Sequence, residues 1–364
     1  MHRRTDRRPP SSGHDLSYRT TPVPAPLPFP PLTAGNPVQW ARIVDSPVLP
    51  AAIRASSAAA VLPLAPGVYR FRDQAGRVLY IGRAVSLRRR VQSYWRDLGD
   101  RAHLAPMVAR IARVEAVTCD SAHEAAWLER NLLEHRRPPW NRALGGQEAE
   151  VWIRLSASPR RPGLTVVRQP APGDFGPYLG GQKVRDAVSG LGRVLPLGYA
   201  GDARPGTERD MARVRGASPA ARSGLARAIA AVLDRDQAAM AALRAELTAR
   251  RDTAAAALAF EFAGRLQAEL EALDWVTGEQ KVTRAQDDAD VCGWADGVLV
   301  WFEIRGGRMR GWRQRPCGAA AARPHLTGTP PGWADFARRN AELAARLRPP
   351  RAERAARLRS AGRS

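Results

Sequence analysis

The stretch PGVYRFRDQAGRVLYIGR, residues 66–83, decides the fold of the first compact unit of this chain. The runs GVYRFR and RVLYIG are rich in β-branched and aromatic residues, and the polar link DQAG between them ends in glycine. This pattern predicts a β-hairpin, because strand-forming runs separated by a few turn residues that include Gly pair locally. Each predicted strand carries a tyrosine close to a glycine, Tyr69 and Tyr80, and arginines follow at once.

The residues after the hairpin alternate between helical and strand patterns. SLRRRVQSYW predicts a helix with Ser86 at its N-cap position, and further helices are expected in LAPMVARIARV and AHEAAWLERNLLEHRR, with a third strand in VEAVTC between them. Together with the hairpin, these elements predict an α+β unit. The apolar stripe of the first helix consists of Leu87, Val91, Tyr94 and Trp95.

The charge of the chain indicates a polyanionic partner. Its 57 basic residues outnumber its 35 acidic ones, which gives a formal net charge of +22 at pH 7. An excess of this size is typical of proteins that bind nucleic acid. Lys183 and Lys281 are the only lysines, but a preference for arginine is equally typical of a GC-rich genome and says nothing about function.

The cysteines and the hydropathy disfavour other classes of protein. Cys119, Cys292 and Cys317 are far apart and form no CxxC pair, so neither a zinc site nor a disulfide framework is expected. No apolar run in the sequence approaches the roughly 18–20 residues that a membrane helix needs, and no apolar segment follows the N-terminal arginines as in an export signal. We therefore expect reduced thiols, no membrane partner and a cytoplasmic location.

Composition changes along the 364 residues, which allow two or three modest domains. The first residues are rich in Pro, Arg and Ser and cannot bury enough apolar surface to become ordered. DG and RGGR mark turns between apolar runs near the C-terminus. From the N-terminus we expect a disordered tail 1–60, the first compact unit 61–145, a small α/β segment 150–200 and an irregular loop 198–219. A helical region 219–284 follows, with a hairpin at about 238–273, and then a short β segment 288–315. The last residues, 316–364, are expected to form a basic, mostly disordered tail with one amphipathic helix in WADFARRNAELAARLR.

Glu129 stands out on the last helix of the first unit. At about 100° per residue its side chain points along the apolar stripe, between Leu132 and Leu133, whereas Glu124 and Glu134 face away. A lone carboxylate on a stripe that faces the core is costly unless it is paired or binds a cation. Two interpretations are open at this point, a structural ion pair with an arginine and a metal ligand.

As an ordered set, these residues resemble the GIY-YIG nuclease family, and specifically its UvrC-like members. The two name-giving motifs stand as GVY (67–69) and YIG (80–82), and YIGRAVSLRRRVQSYW is similar to the family's segment through the first helix, with Arg83 where lysine is usual. EAAWLERNLLEHRRPPWN (124–141) is similar to the family's pattern of Glu-Ala, Leu-Glu and Pro-x-aromatic-Asn. The resemblance covers about 61–315 and is strongest in 61–145.

The resemblance implies a three-stranded antiparallel sheet with helices and a metal-dependent hydrolysis of a DNA phosphodiester. Glu129 would hold one divalent cation, Mg²⁺ or Mn²⁺, since a single carboxylate suits an ion that keeps most of its waters. Tyr69 would take the proton of the attacking water, which requires a lowered pKa or a proton passed on, because free Tyr titrates near ~10. The guanidinium groups of Arg83 and Arg90 would clamp the phosphate, and Asn141 would orient a group in the site.

The expected site residues are therefore the following. The catalytic set is Tyr69, Tyr80, Arg83, Arg90, Glu129 and Asn141, and the expected DNA contacts are Arg88, Arg89 and Tyr94. For some of these residues a purely structural role stays open. Half-buried tyrosines are ordinary packing in a sheet, and the arginines of a helix commonly form a solvated face.

The resemblance extends beyond the first unit. FGPYLGG (175–181) and VRDAVSGLGRVLPL are similar to the segment that follows the family's nuclease domain. Residues 240–273 resemble the UVR motif, a helical hairpin through which UvrC contacts UvrB, although an Ala/Leu/Glu/Arg hairpin also arises easily in a GC-rich genome. The implied UvrB contacts are Phe260, Glu261 and Arg265.

Two departures from the family change the expectation. The family's cysteine cluster after PL, associated with an iron–sulfur centre, has no counterpart in PLGYAGDARPGTERDMARV, so no iron–sulfur cluster is expected. The chain also ends near where the family's RNase H-like nuclease domain and helix-hairpin-helix tail would start. We therefore expect a truncated bacterial UvrC homologue of nucleotide excision repair, which incises on the 3′ side of a lesion in DNA presented by UvrB, with UvrA upstream.

Two alternatives remain open at this stage. One is a UvrB-independent, structure-specific GIY-YIG endonuclease, and the other is a non-catalytic module that binds DNA or UvrB. The replacement of lysine by Arg83 keeps the second alternative open, whereas the presence of both tyrosines and Glu129 argues against it.

Overall fold

The computed structural model describes residues 51–141, 149–202, 206–283 and 288–348. In these ranges, three separate three-stranded antiparallel sheets are flanked by helices, which confirms the α+β prediction. None of the helices described there combines the length and apolar character that crossing a membrane requires. Residues 1–50 of the expected N-terminal tail and residues 349–364 of the expected C-terminal tail lie outside the described ranges.

The first sheet is built around the predicted hairpin. Strands β1 (Gly67–Arg72) and β2 (Val78–Ala84) pair antiparallel, and β3 (Arg113–Thr118) pairs with the other side of β1. The sheet order β2-β1-β3 therefore leaves β2 at an edge. The hairpin loop closes with a hydrogen bond from the Gly76 amide to the Asp73 carbonyl, and Gly76 has a φ of +80°, which glycine adopts at little cost.

Four helices surround this sheet: α1 (Ala51–Val61), α2 (Leu87–Arg96), α3 (Ala105–Val108) and α4 (Ala122–His135). The predicted stripe of α2 is buried at Leu87, Val91 and Tyr94, against the sheet face that carries Phe71. The long helix expected in LAPMVARIARV is wrong. Only a 3₁₀ turn (Gly99–Leu104) and the single turn of α3 form, because the chain must already extend at Arg113 to pair with β1.

Helix α1 corrects the N-terminal boundary. Disorder was expected up to residue 60, but Ala55, Ala59 and Leu62 are buried in the same apolar cluster as Phe71. The prediction was wrong here because alanines contribute little hydrophobic signal, yet they allow the helix to pack closely on the rest of the unit.

The middle of the chain contains a second sheet and a helical region. Strands β4 (Glu150–Ser156), β5 (Gly163–Val167) and β6 (Phe175–Leu179) have the order β5-β4-β6 and are followed by α5 (Gly181–Val194). The loop expected at 198–219 contains helix α6 (Gly206–Val214). The helical region then consists of α7 (Arg222–Leu233), α8 (Gln237–Ala256) and α9 (Phe260–Thr277).

Helices α8 and α9 form the predicted hairpin, with a break a few residues later than expected. The chain turns at residues 257–259, where Leu258 has a φ of +58°. Leu247, Leu266 and Leu270 bury the inner face of the hairpin together with α5. Arg193 of α5 also forms a partly buried ion pair with Glu269 of α9.

The C-terminal part is more ordered than expected. Strands β7 (Ala289–Ala295), β8 (Val298–Arg305) and β9 (Arg308–Pro316) form the third sheet, and α10 (Ala319–Leu326) and α11 (Ala334–Arg346) follow. The expectation of a mostly disordered tail from 316 is therefore wrong over α10, whereas α11 is the amphipathic helix that was expected in WADFARRNAELAARLR. Phe336 of α11 is fully buried against Phe302 of the third sheet, so an apolar stripe outweighs the Ala/Arg-rich composition.

Helix α4 joins the first and third sheets. Its apolar side chains share one buried cluster with Val68 and Ile81 of the first sheet and with Met309 and Trp312 of β9. The helix that carries Glu129 is thus held from both sides, which fixes its position relative to the edge strand β2.

Candidate active site

The glycine of the YIG motif makes room for the Tyr69 hydroxyl. Tyr69 pairs with Gly82 and Phe71 pairs with Tyr80, so the two tyrosines lie diagonally on one face, with ring centroids 6.3 Å apart. A Cβ atom on Gly82 would lie 2.5 Å from the Tyr69 hydroxyl oxygen and 2.8 Å from Cε1 of Tyr80. Any larger residue at position 82 would push the tyrosines apart.

Tyr69 is fully buried and belongs to a chain of hydroxyl groups. Its hydroxyl oxygen lies 2.8 Å from that of Tyr94, and either group can donate this hydrogen bond. Burial, and then the neighbouring hydroxyls of Tyr94 and Tyr80, raise the pKa of Tyr69 well above its ordinary value, although Arg90 acts in the opposite direction. Tyr69 therefore keeps its proton at neutral pH in this structure.

Tyr80 and Arg90 border the same network. Burial, then Tyr94 and the carboxylate of Glu129, raise the pKa of Tyr80, so this hydroxyl also stays protonated at neutral pH. Burial lowers the pKa of Arg90, but its interactions with the Tyr69, Tyr94 and Tyr80 hydroxyls outweigh that effect and raise it. The Arg90 guanidinium is thus a permanent positive charge beside the hydroxyl cluster.

Glu129 lies against the residue that follows the YIG motif. One carboxylate oxygen accepts a hydrogen bond of 3.1 Å from the Arg83 amide, and the other lies 3.4 Å from Nε of Arg83. The Glu129 residue is 7% exposed. The ion pair that was one of the two interpretations is therefore present. It does not exclude the other, because a carboxylate offers about four acceptor positions.

Asn141 is a positioning residue in this structure. Its side-chain oxygen accepts from the Ile81 amide at 3.0 Å, and its side-chain amide donates to the Ile81 carbonyl at 2.8 Å. The Trp140 amide adds a bond of 3.2 Å to the Leu79 carbonyl. The segment after α4 thus pairs with the free edge of β2 and fixes the strand on both sides of Tyr80.

The three expected DNA contacts have different environments. Tyr94 is 2% exposed and hydrogen-bonded to Tyr69, so the expectation that it lies on DNA is wrong, and it acts on the site from inside. Arg88 is half-buried and donates to the Leu62 carbonyl at 2.6 Å. Arg89 is exposed and keeps a position from which it can reach a phosphate.

Sequence reasoning missed two residues near the site. The guanidinium carbon of Arg101 lies 4.7 Å from the centroid of the Tyr94 ring, and no periodicity pointed to it. Glu124 was expected to face away, but it is fully buried and accepts from the amides of Asp120 at 2.6 Å and Lys281 at 2.7 Å. The S-x-x-E sequence at Ser121–Glu124, a capping-box pattern, could have indicated it.

The expected partner contacts lie at the tip of the helical hairpin. Phe260 is 67% exposed, and Glu261 and Arg265 are also exposed at the start of α9. Leu258 and Phe262 add further exposed apolar surface at the same tip. An exposed cluster of this kind is typical of a docking site rather than of an isolated hairpin.

Glu129 is the candidate metal ligand of this site. Across the ranges that the structure describes, no group of three or more His, Cys, Asp and Glu side chains is arranged to hold a metal ion. Glu129 offers one carboxylate at the edge of the tyrosine and arginine cluster, and such a donor set matches Mg²⁺, which takes one or two carboxylates and retains waters.

Comparison with known proteins gives one consistent result. Residues 65–142 match the model of the UvrC-like GIY-YIG domain. The UvrABC system protein C of Geobacter metallireducens is 32% identical over 274 residues, which cover 69% of this chain and 44% of that protein. The UvrABC system protein C of Hahella chejuensis is 37% identical over 137 residues, covering 36% of this chain and 22% of that protein. The chain thus spans less than half the length of these relatives.

A solved structure is similar over the first unit. It is the GIY-YIG N-terminal endonuclease domain of UvrC from Thermotoga maritima, bound to magnesium as its catalytic divalent cation. The two chains are 29% identical, and the match covers 23% of this chain and 92% of the other with a TM-score of 0.22.

Proposed function

We propose that this chain, whose residues 65–142 belong to the UvrC-like GIY-YIG domain family, is a metal-dependent DNA endonuclease of nucleotide excision repair. The observation that carries the proposal is the contact of Glu129 with Arg83 at the end of edge strand β2. The Glu129 carboxylate also helps to raise the pKa of Tyr80, so a carboxylate, a guanidinium and a tyrosine hydroxyl act on one another around edge strand β2. Such a combination suits phosphoryl chemistry, which needs charge neutralisation and proton transfer.

Glu129 would hold a divalent cation, Mg²⁺ or Mn²⁺. When bound, the cation supplies positive charge at the phosphate and lowers the pKa of the attacking water. Arg83 currently shares the carboxylate, and its side chain is 32% exposed, so the guanidinium has solvent-side space in which to turn towards a substrate phosphate. The negative charge of Glu129 would then be balanced throughout, first by Arg83 and afterwards by the cation.

Two guanidinium groups would bind the phosphate. Arg83 follows the YIG motif at the end of β2, and Arg90 lies one helical turn into α2, beside the hydroxyl cluster. Their planar guanidinium forks match two phosphate oxygens at once. Lysine, which is usual at position 83 in the family, would provide the charge without the fork.

The tyrosine hydroxyls would transfer the proton of the attacking water. Since the pKa of Tyr69 is raised, its hydroxyl cannot act as a preformed base. The hydrogen bonds give it another route: as Tyr69 accepts the proton of water it donates its own proton to Tyr94, Tyr94 donates its own to Tyr80, and Tyr80, which is only partly buried, releases its proton to the leaving oxygen or to solvent. Asn141 supports both steps indirectly, because it fixes the strand that carries Tyr80 and Gly82.

We further propose that UvrB delivers the DNA and that the cut falls on the 3′ side of a lesion. The exposed tip with Phe260, Glu261 and Arg265 supports docking of UvrB through the α8–α9 hairpin. A large exposed aromatic side chain is the type of residue that dominates binding energy at an interface.

The nuclease proposal is tested by nicking of a lesion-bearing duplex that is labelled on the damaged strand. Reactions contain Mg²⁺ or Mn²⁺, with and without UvrA and UvrB, and compare the unmodified chain with Glu129→Gln. Glu134→Gln, on the exposed face of the same helix, is the matched control. A 3′-side nick that needs UvrB and disappears only in Glu129→Gln is expected. Nicking without UvrB would favour an independent endonuclease, and DNA or UvrB binding without any nicking would favour a non-catalytic module.

The docking proposal is tested separately with Phe260→Ala. We expect at least about a tenfold loss of affinity for UvrB, measured by calorimetry, because exposed aromatic anchors commonly contribute more than 1 kcal/mol. Val214→Ala, an exposed apolar residue on α6, is the control and should bind normally. Unchanged affinity in Phe260→Ala would remove the hairpin tip from the interface.

A further inference from the structure

A cleft of ≈ 980 Å³ opens between the first and third sheets, on a surface that excludes the tyrosine and arginine residues of the candidate active site. One wall consists of β1, β2 and the segment after α4, and the other of β8 and β9. Nine arginines and only two acidic residues line it, together with three tryptophans. We refer to it as the Arg–Trp cleft; its tryptophans are Trp140, Trp301 and Trp312.

Several arginines of the cleft carry uncompensated charge. Arg72, Arg77 and Arg305 form ion pairs with Glu115, Asp73 and Asp290, respectively. By contrast, Arg136 on one wall and Arg310 and Arg313 on the other have neither an ion pair nor a side-chain hydrogen bond within the part of the chain that the structure describes. Positive charge on facing walls of a concave surface concentrates the field and favours a polyanion.

Two buried donors in the cleft lack an acceptor. The guanidinium of Arg70 stacks on the Trp312 ring, with its carbon 3.8 Å from the ring centroid, and pairs with Glu115 through Nε. Arg70 is 7% exposed and Trp312 is 3% exposed. Nevertheless Arg70 Nη2 and Trp312 Nε1 find no hydrogen-bond partner among the described residues. Because both atoms are shielded from the surface, ligand contacts in the cleft come instead from its more exposed arginines and indoles.

We propose that the Arg–Trp cleft binds a segment of single-stranded nucleic acid. Arg136, Arg310 and Arg313 contact its phosphates, and the half-buried indoles of Trp140 and Trp301 stack on its bases. Unpaired bases offer such faces, whereas the bases of a duplex are stacked on each other, and basic grooves with interleaved aromatic residues are how proteins hold single strands. An acidic peptide would use the arginines but not the indoles.

The position of the cleft relates it to the proposed nuclease site. Leu79 and Ile81 of edge strand β2 line the cleft, and Tyr80 between them belongs to the active-site cluster. A strand bound in the cleft therefore lies beside the strand that carries Tyr80. The proposal concerns binding and does not depend on cleavage, so a failure of the nuclease activity would leave it unaffected.

The test measures binding of a fluorescein-labelled oligothymidylate of about 12 nucleotides, a length within the usual range for single-strand sites, to the full chain in EDTA. The cleft variant is Arg310→Ala/Arg313→Ala. The matched control is Arg209→Ala/Arg227→Ala, which removes two exposed arginines from α6 and α7. We expect the cleft variant to weaken binding by about tenfold and to reduce the slope of log K against log salt by about 1.4, since each single-strand phosphate contact contributes about 0.7. The control should stay within about twofold of the unmodified chain.

Stacking has its own readout. Oligothymidylate should quench tryptophan fluorescence of the unmodified chain, and the Trp140→Phe/Trp301→Phe variant should lose part of that quenching. The proposal is overturned if the cleft and control variants lose equal affinity, if the two-tryptophan variant is quenched as strongly as the unmodified chain, or if polyglutamate competes as well as the oligonucleotide at equal charge. A duplex of the same length that binds as tightly would likewise rule out a single-strand site.

Discussion

Helix α4 carries two buried carboxylates in two different surroundings. Near its N-terminus, Glu124 accepts hydrogen bonds from the backbone amides of Asp120 and Lys281. One and a half turns later, Glu129 meets a backbone amide and a guanidinium, both from Arg83. Backbone amides cannot leave, whereas a half-exposed arginine side chain can. Burial alone therefore does not distinguish the two carboxylates, whereas the nature of their partners does.

The largest effect is expected from removing the charge of Glu129. Glu129→Gln keeps the shape of the side chain but not the anionic oxygens, and nicking should fall by about 10³-fold, as for the loss of a group that stabilises charge in the transition state. The melting temperature should change little. A variant that unfolds, or one that still nicks DNA at a tenth of the normal rate, would show that Glu129 is a structural carboxylate like Glu124.

The reverse pattern is expected at the other carboxylate. Glu124→Ala leaves the amides of Asp120 and Lys281 buried without acceptors, which costs about 1–3 kcal/mol for each group, so the free energy of unfolding should fall by about 2–6 kcal/mol. Urea denaturation measures this loss. Nicking per folded molecule should remain within about threefold, and a larger decrease would place Glu124 in the reaction.

The hydroxyl pair sharpens the comparison within the site. Tyr69→Phe should slow nicking by about 10²-fold, the lower end for loss of a proton-transfer group. Tyr94→Phe removes only the next acceptor in the chain and should slow it by about tenfold. Single-turnover rates of the two variants, with Tyr199→Phe as a distant control, measure the difference. Equal losses in the two variants would mean that neither tyrosine has a special role in proton transfer.

The smallest effect concerns pH and Glu124. Burial raises the pKa of Glu124 to about 7, with the Asp120 carboxylate adding to the shift and the two amides opposing it. The folded state then binds this proton more tightly than the unfolded state, so the contribution to stability is complete below the ordinary Glu value and is lost as the pH rises to 7. Between pH 5 and 7 the free energy of unfolding should fall by about 2 kcal/mol from this group. Glu124→Gln should remove that slope, and an unchanged slope would assign it elsewhere.

The two carboxylates also show how far the sequence could go. The hairpin, α2, β3 and α4 followed from local periodicity, and the α+β fold class was confirmed. Periodicity also placed Glu129 on the core-facing stripe. It failed for Glu124, because the partner amide of Lys281 lies far along the chain and a helical wheel describes only one helix at a time.

Long-range packing explains the other differences. Helices α1 and α10 lie in segments that composition assigned to disordered tails, but each packs on a surface supplied by another part of the chain. Tyr94 was expected to contact DNA, yet it is buried on α2 and its hydroxyl is hydrogen-bonded to that of Tyr69. The Arg–Trp cleft was not predicted at all, since its two walls come from segments more than 150 residues apart.

Because Asn141 is hydrogen-bonded to Ile81, the number of residues between α4 and Asn141 is itself constrained. Glu129 and Asn141 both bind the same short strand, Asn141 at Ile81 in its middle and Glu129 at Arg83 near its C-terminal end, and the residues between Glu129 and Asn141 set the spacing of these two contacts. Side chains along the spacer can vary, whereas one added or deleted residue would shift Asn141 off its partner and loosen the strand. Evolution of this segment should therefore show substitutions but resist insertions and deletions.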